Sequence, residues 1–214
     1  MNRLIDVVLE DQSVLLSRMG ELTYQTLLIS IKAYIDGTTA LIQVRDMSDR
    51  LMLMADKVED RTFELIARFQ PVASDLRTIK SYMKISYDFA RYGRYALDIS
   101  FINDQINGLK ECKADMKEFI EEMSTKVLQM VAISVDALRK LDVNLARTIS
   151  QTEREVDQMY LDHLKKLFDD EHVSNKCILS STLMARYLER IADHAVYVCE
   201  AINYIVTGEK TRLR

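Results

Sequence analysis

The sequence predicts an all-α protein: two tandem antiparallel three-helix bundles, six helices in all. Three observations carry that prediction. Structure breakers are scarce, with one proline and five glycines in 214 residues, whereas sheets need many tight turns that draw on Gly, Pro, Asn and Asp. The strong helix formers Leu, Met, Ala, Glu, Lys and Arg dominate the rest. Between the breakers, apolar residues recur with a helical period, as in Leu183, Tyr187, Ile191, Ala195, Val198 and Ile202.

The breakers divide the chain in order. A first helix over 3–34 stops at Asp36-Gly37-Thr38-Thr39, which reads as a left-handed stop followed by an N-cap. A second, over 39–69, carries the apolar stripe Leu41, Val44, Met47, Ser48, Leu51, Met52 and Ala55. It ends at Gln70-Pro71, because proline disfavours helix in the residue before it and tolerates the first turn after it. The third, over 72–106, has Ser74 or Asp75 to cap its start and Asn107-Gly108 to stop it. A fourth over 109–133 breaks near Ser134-Val135-Asp136, and a fifth over 137–168 runs into the polar stretch from Asp169 to Asn175. The sixth, 175–206, is closed by Gly208 and followed by a basic tail. Eleven methionines and ten tyrosines are spread over several helices and read as core filler and bundle-edge residues.

This break pattern repeats. A shift of 98 lays Val58-Glu59 on Val156-Asp157, and a shift of 99 lays Phe89-Ala90-Arg91 on Leu188-Glu189-Arg190. One extra residue in the second connection reconciles the two shifts, so the expected units are 1–107 and 108–214. Short connections make neighbouring helices antiparallel within each unit.

Charge and composition exclude several function classes. The formal charge of −4 supplies no electrostatic motive for binding nucleic acid or anionic lipid. No apolar run reaches the 18 or so residues of a membrane span, and Asp6, Glu10 and Asp11 stand where a signal peptide would be apolar. Cys112, Cys177 and Cys199 lie far apart, read as buried small hydrophobes, and suit a reducing cytoplasm. Glycine-rich phosphate loops, G-x-S-x-G elbows and paired Cys/His zinc patterns are missing from the sequence. None of His163, His172 and His194 follows a Glu by three residues, so each reads as an exposed or partly packed imidazole.

Chemistry therefore falls to carboxylates. Acids at i and i+4 share a helix face. Seven such pairs occur (6/10, 56/60, 60/64, 111/115, 118/122, 153/157 and 189/193), against roughly five expected by chance from 33 acids, so most are ordinary solvated faces. Two pairs stand apart. Counted from the turn near 169–174, Glu153 and Asp157 lie roughly 18–24 Å along one helix, and Glu189 and Asp193 roughly 22–28 Å along the next. Four carboxylates at overlapping heights on adjacent antiparallel rods repel unless a cation lies between them, and an oxygen-ligated metal ion answers that need. Glu155 faces the other way.

The stretches Glu153-Arg154-Glu155-Val156-Asp157-Gln158-Met159-Tyr160 and Arg186-Tyr187-Leu188-Glu189-Arg190-Ile191-Ala192-Asp193-His194-Ala195 resemble the two signature segments of the PhoU family. Gln70-Pro71-Val72-Ala73-Ser74-Asp75-Leu76-Arg77 is similar to that family's Q-P-x-A-x-D-L-R joint. The resemblance spans nearly the whole chain. It implies a cytoplasmic, non-catalytic regulator of phosphate uptake that acts with the ATPase of the phosphate ABC transporter and, in many bacteria, a sensor kinase. A homodimer is implied as well, reaching the membrane only through partners. It further implies divalent or trivalent metal (iron, zinc, nickel, manganese or magnesium) on E/D-x-x-x-D motifs.

The first repeat departs from that pattern. The metal positions there hold Ala55, Glu59, Ala90 and Arg94. The expectation is that Arg94 replaces the cation, pairing with Glu59 or a neighbour across the seam between the second and third helices, and that metal is confined to Glu153, Asp157, Glu189 and Asp193. The alternative function is a carboxylate-bridged metalloenzyme, a hydrolase or oxidase within a helical bundle.

Overall fold

A computed structural model describes residues 3–169 and 173–213. Six long helices and one short one make up the described residues: α1 Leu4–Asp36, α2 Leu41–Phe69, α3 Ala73–Ile106, α4 Ala114–Lys140, α5 Val143–Arg147, α6 Ile149–Asp169 and α7 Asn175–Thr207. The longest run to about 50 Å at 1.5 Å per residue. Helices α1, α2 and α3 pack together, as do α4, α6 and α7. The two groups join along α3 against α7 and α1 against α4.

Local signals explain most of the boundaries. Gly37 closes α1 and Gly208 closes α7, both left-handed. Gln70 adopts the same conformation without being glycine, which stops α2 one residue before Pro71. Asp75 acts from inside α3: its carboxylate accepts the Val72 N–H at 3.1 Å and pairs with the Arg3 guanidinium at 2.8 Å, so one acid caps α3 and ties the start of α1 to it. Ser74 provides no cap. Ser174 Oγ accepts the Cys177 N–H and starts α7.

Two boundaries fall elsewhere than expected. The helix predicted to break near Ser134–Asp136 runs on to Lys140. Ser134 returns its hydroxyl to the Val131 carbonyl and stays buried inside the helix, which removes it as a cap. The break comes at left-handed Leu141, and Asp142 caps α5 by accepting the Leu145 N–H at 3.0 Å. At its other end α4 begins at Ala114 rather than 109, because 107–113 form a connection held against other elements. There Gly108, at φ +55°, sits against the Tyr34 carbonyl and the Asn103 amide, and a Cβ would lie 2.5 Å from the former. Asn103 donates to Thr38 O at 2.6 Å, Ser180 Oγ donates to Gly108 O, and Tyr34 Oη reaches Ser180. One polar cluster thus ties together the α1–α2 and α3–α4 connections and α7.

The same connection overturns the reading of the cysteines as three separate apolar thiols: Cys112 and Cys177 are joined as a disulfide, and only Cys199 is free and buried. Sequence distance hid the contact, since 65 residues separate the two sulfurs in the chain. The predicted break over 169–175 includes Asp170, Glu171 and His172, which lie outside the described residues.

Both α3 and α7 are buried around most of their circumference, unlike the one-sided stripe expected of the last helix. Serine and alanine at 180, 181, 185, 192, 195 and 201 let α7 touch neighbours on several sides. Gly20 does the same for α1: a Cβ there would lie 2.9 Å from Val135, so its absence admits α4.

Candidate functional site

Helices α6 and α7 run antiparallel and present their acidic positions to a shared seam. Glu153 and Asp157 come one turn apart on α6, and Asp193 comes from α7. Their carboxylate oxygens lie within 4.8 Å of one another. Glu153 and Asp193 are buried, at 3% and 8% exposure, and Asp157 is half-buried. Val156 and Leu188 hold the backbone in place from below, both fully buried in the core. Three oxygen donors so placed fit a hard or borderline cation, which prefers carboxylate ligands.

Glu189, the fourth acid of the expected set, stands at the edge. Its carboxylate is bonded at 2.7 Å to Arg186, one turn back on α7. Partial burial pushes this carboxyl above its ordinary range, and the charges of Asp193 and Asp157 push the same way against Arg186. Glu189 therefore feels the cluster electrostatically while its oxygen is turned to the arginine. Glu155 points out of the seam and pairs with Lys126 of α4 at 2.8 Å.

The equivalent seam of the first repeat is a cavity of about 640 Å³ between α2 and α3. Ala55, Glu59, Ala90 and Arg94, the four positions that match the acidic ones, all line it, together with Asp56 and Arg91. Arg94 makes its ion pair with Asp98, one turn along α3, at 3.8 Å. Arg94 and Glu59 thus share a cavity wall, and the arginine's salt bridge goes along its own helix.

Sequence reasoning missed a buried polar chain next to the seam. His194, adjacent to Asp193, directs Nδ1 to Asp88 Oδ1 of α3 at 2.8 Å. Its Nε2 lies 3.3 Å from Tyr95 Oη, which accepts from Arg91 at 2.9 Å. Burial raises the Asp88 carboxyl above its usual range, with His194 opposing. The chain locks α3 to α7 beside the carboxylates; its one sequence signal is a pair of polar residues in otherwise buried helices. His163 is not exposed either: it stacks on Phe119 with centroids 4.3 Å apart and bonds Ser181.

Fold and site together define a class: an all-α protein of paired three-helix bundles with an acidic seam on one of them. The PhoU domain matches twice, at residues 16–102 and again at 120–202, and the chain belongs to the PhoU family. It is 31% identical over 209 residues to the phosphate-specific transport system accessory protein PhoU homolog of Pseudomonas aeruginosa, covering 95% of this chain and 86% of the relative. The homologue of the same description from Clostridium acetobutylicum is 31% identical over 164 residues, 75% of this chain and 74% of the relative. Among solved structures, PhoU from Pseudomonas aeruginosa superposes with a TM-score of 0.88 at 29% identity, covering 95% of this chain and 99% of that one. The phosphate transport regulatory protein PhoU of Streptococcus pneumoniae shares the fold, with a TM-score of 0.76 at 23% identity, over 97% and 99% of the two chains.

Proposed function

We propose that this protein is a non-catalytic regulator of phosphate uptake, working in the cytoplasm by docking on the ATPase of a phosphate ABC transporter and, where one is present, on a sensor kinase. The observation that carries the reading is the convergence of Glu153, Asp157 and Asp193 in a seam of a chain belonging to a family whose relatives are named as phosphate transport accessory proteins. In this reading Glu153, Asp157 and Asp193 hold a divalent or trivalent ion, with Glu189 completing the site once it leaves Arg186. Such an ion offsets the repulsion of the carboxylates and ties α6 to α7, stiffening the second repeat as a docking face. The first repeat holds no ion, since Ala55 and Ala90 offer no donor and Arg94 brings its own positive charge beside Glu59. Iron, zinc, nickel, manganese and magnesium all suit oxygen donors. A homodimer fits the family reading.

The test pairs elemental analysis of protein purified without chelator with a pull-down against the transporter ATPase from phosphate-rich and phosphate-starved cells. One site per chain, lost in Glu153→Ala/Asp193→Ala, and capture that changes with phosphate supply are expected. Two equivalent sites, or metal retained in that variant, sink the metal assignment. Phosphate-ester or peroxide turnover abolished by Glu189→Ala would make the protein a metalloenzyme instead.

A further inference from the structure

A second cavity, remote in chemistry from the acidic seam, lies where the C-terminal tail folds back between α3 and α7. Its volume is about 430 Å³, within the range of small-molecule sites. Lys80 and Lys84, one turn apart on α3, line one wall, and Lys210 and Arg212 of the tail line another. Four cations thus face one acid, Glu200, in a chain whose overall charge is −4. Glu200 is already engaged, accepting the Leu213 N–H at 3.1 Å. Tyr204, Ala201 and the hydroxyl residues Ser81 and Thr211 complete the lining.

The wall formed by the tail is built rather than frayed. Here Asn203, fully buried, donates to Glu209 O at 3.2 Å and Thr211 Oγ1 at 3.0 Å, while its side-chain oxygen Oδ1 accepts from Arg147 of α5. Leu213 is buried just beyond Arg212. These anchors place Lys210 and Arg212 in one cavity lining with the α3 lysines. Four cations along one concave surface raise the local concentration of anions there.

We propose that this cavity binds a compact phosphorylated polyanion carrying two or more phosphoryl groups, gripped between α3 and the tail. Guanidinium and ammonium donors suit phosphoryl oxygens, the arginine through its planar fork and the lysines as mobile point charges. A ligand with two or more phosphoryl groups offers separate oxygens to the donors of both walls, and Tyr204 lines the same cavity. Because the cavity joins α3 of one bundle to α7 of the other, an occupant would tighten the junction of the two bundles. The site stands independently of the metal reading.

The experiment is isothermal titration calorimetry on the full chain in EDTA at constant ionic strength. The probes are pyrophosphate, ATP, inorganic phosphate and sulfate. Saturable binding of one pyrophosphate or ATP per chain is expected, with phosphate and sulfate at least tenfold weaker. Preference for pyrophosphate or for ATP tells an inorganic from a nucleotide ligand. Lys84→Gln and Arg212→Gln, at exposed positions that do not threaten folding, should each weaken binding about tenfold, the loss of one charge-assisted contact. Lys57→Gln on α2, outside the cavity lining, should leave it unchanged. Absence of saturable binding, equal binding of sulfate, or an unchanged affinity in the Lys84/Arg212 double variant would overturn the assignment.

Discussion

Replacing Asp193 by asparagine gives a sharp test of the acidic seam, because the swap keeps shape and removes charge. Two carboxylates whose oxygens lie within 4.8 Å of each other repel by at least about 3.5 kcal/mol at an effective dielectric near 20. Asp193 faces both Glu153 and Asp157, so the substitution relieves on the order of 7 kcal/mol of pairwise repulsion in metal-free protein. Other charges around the seam, Arg186 among them, reduce that figure. Metal-free Asp193→Asn protein should therefore be at least as stable as the parent, although most buried substitutions destabilise. Metal added at about a thousand times its dissociation constant stabilises the parent by about 4 kcal/mol, a rise in melting temperature of roughly 8–16 °C for a chain of this size. The variant should lose most of that rise. Differential scanning calorimetry in EDTA and then with each candidate metal reads both quantities. A metal-free variant that melts clearly below the parent would show that the carboxylates are not in mutual repulsion. Equal metal-induced shifts in the two proteins would show that the ion binds elsewhere.

Three further outcomes follow from the packing. Burial pushes the His163 imidazole down to about 4, so the folded state prefers it neutral. Its contribution is complete above the free value of 6.5 and is lost as pH falls from there towards 4, on the order of 3 kcal/mol. Urea midpoints across that range should fall more steeply for the parent than for His163→Phe, and parallel curves would refute a neutral buried imidazole. Gly108→Ala places a Cβ 2.5 Å from the Tyr34 carbonyl at φ +55°; chemical denaturation should show a loss of at least about 2 kcal/mol. Reducing the Cys112–Cys177 bridge, which closes 65 residues of chain, should cost up to about 4 kcal/mol on the loop-entropy account. Melting with and without reductant, with Cys112→Ser as the control that no longer responds, measures it.

Local chemistry was enough to read the all-α class, most helix ends and the heights of the acidic pairs. Gly37, Pro71 and Gly208 act on the backbone within a few residues, and a 1.5 Å rise converts spacing into position. The i, i+4 rule placed Glu153 and Asp157 on one face, and the offset from the connecting turn brought Asp193 level with them. The same rule could not say which way Glu189 turns, because Arg186 competes for its oxygen over a distance of one turn. Nor could it fix the partner of Arg94, which finds Asp98 along α3.

What lies between helices far apart in the chain was decided only by the tertiary structure. The break moved from Ser134 to Leu141 because Ser134 is packed inside the bundle, where its hydroxyl bonds its own helix and no longer caps. The Cys112–Cys177 bridge, the Asp88–His194 bond and the basic cavity under the tail all join residues 65 or more positions apart. Periodicity reports which face of a helix is apolar but carries no record of which other face it meets. That information resides in the mutual fit of the packed surfaces, and it exists only once the two bundles are docked.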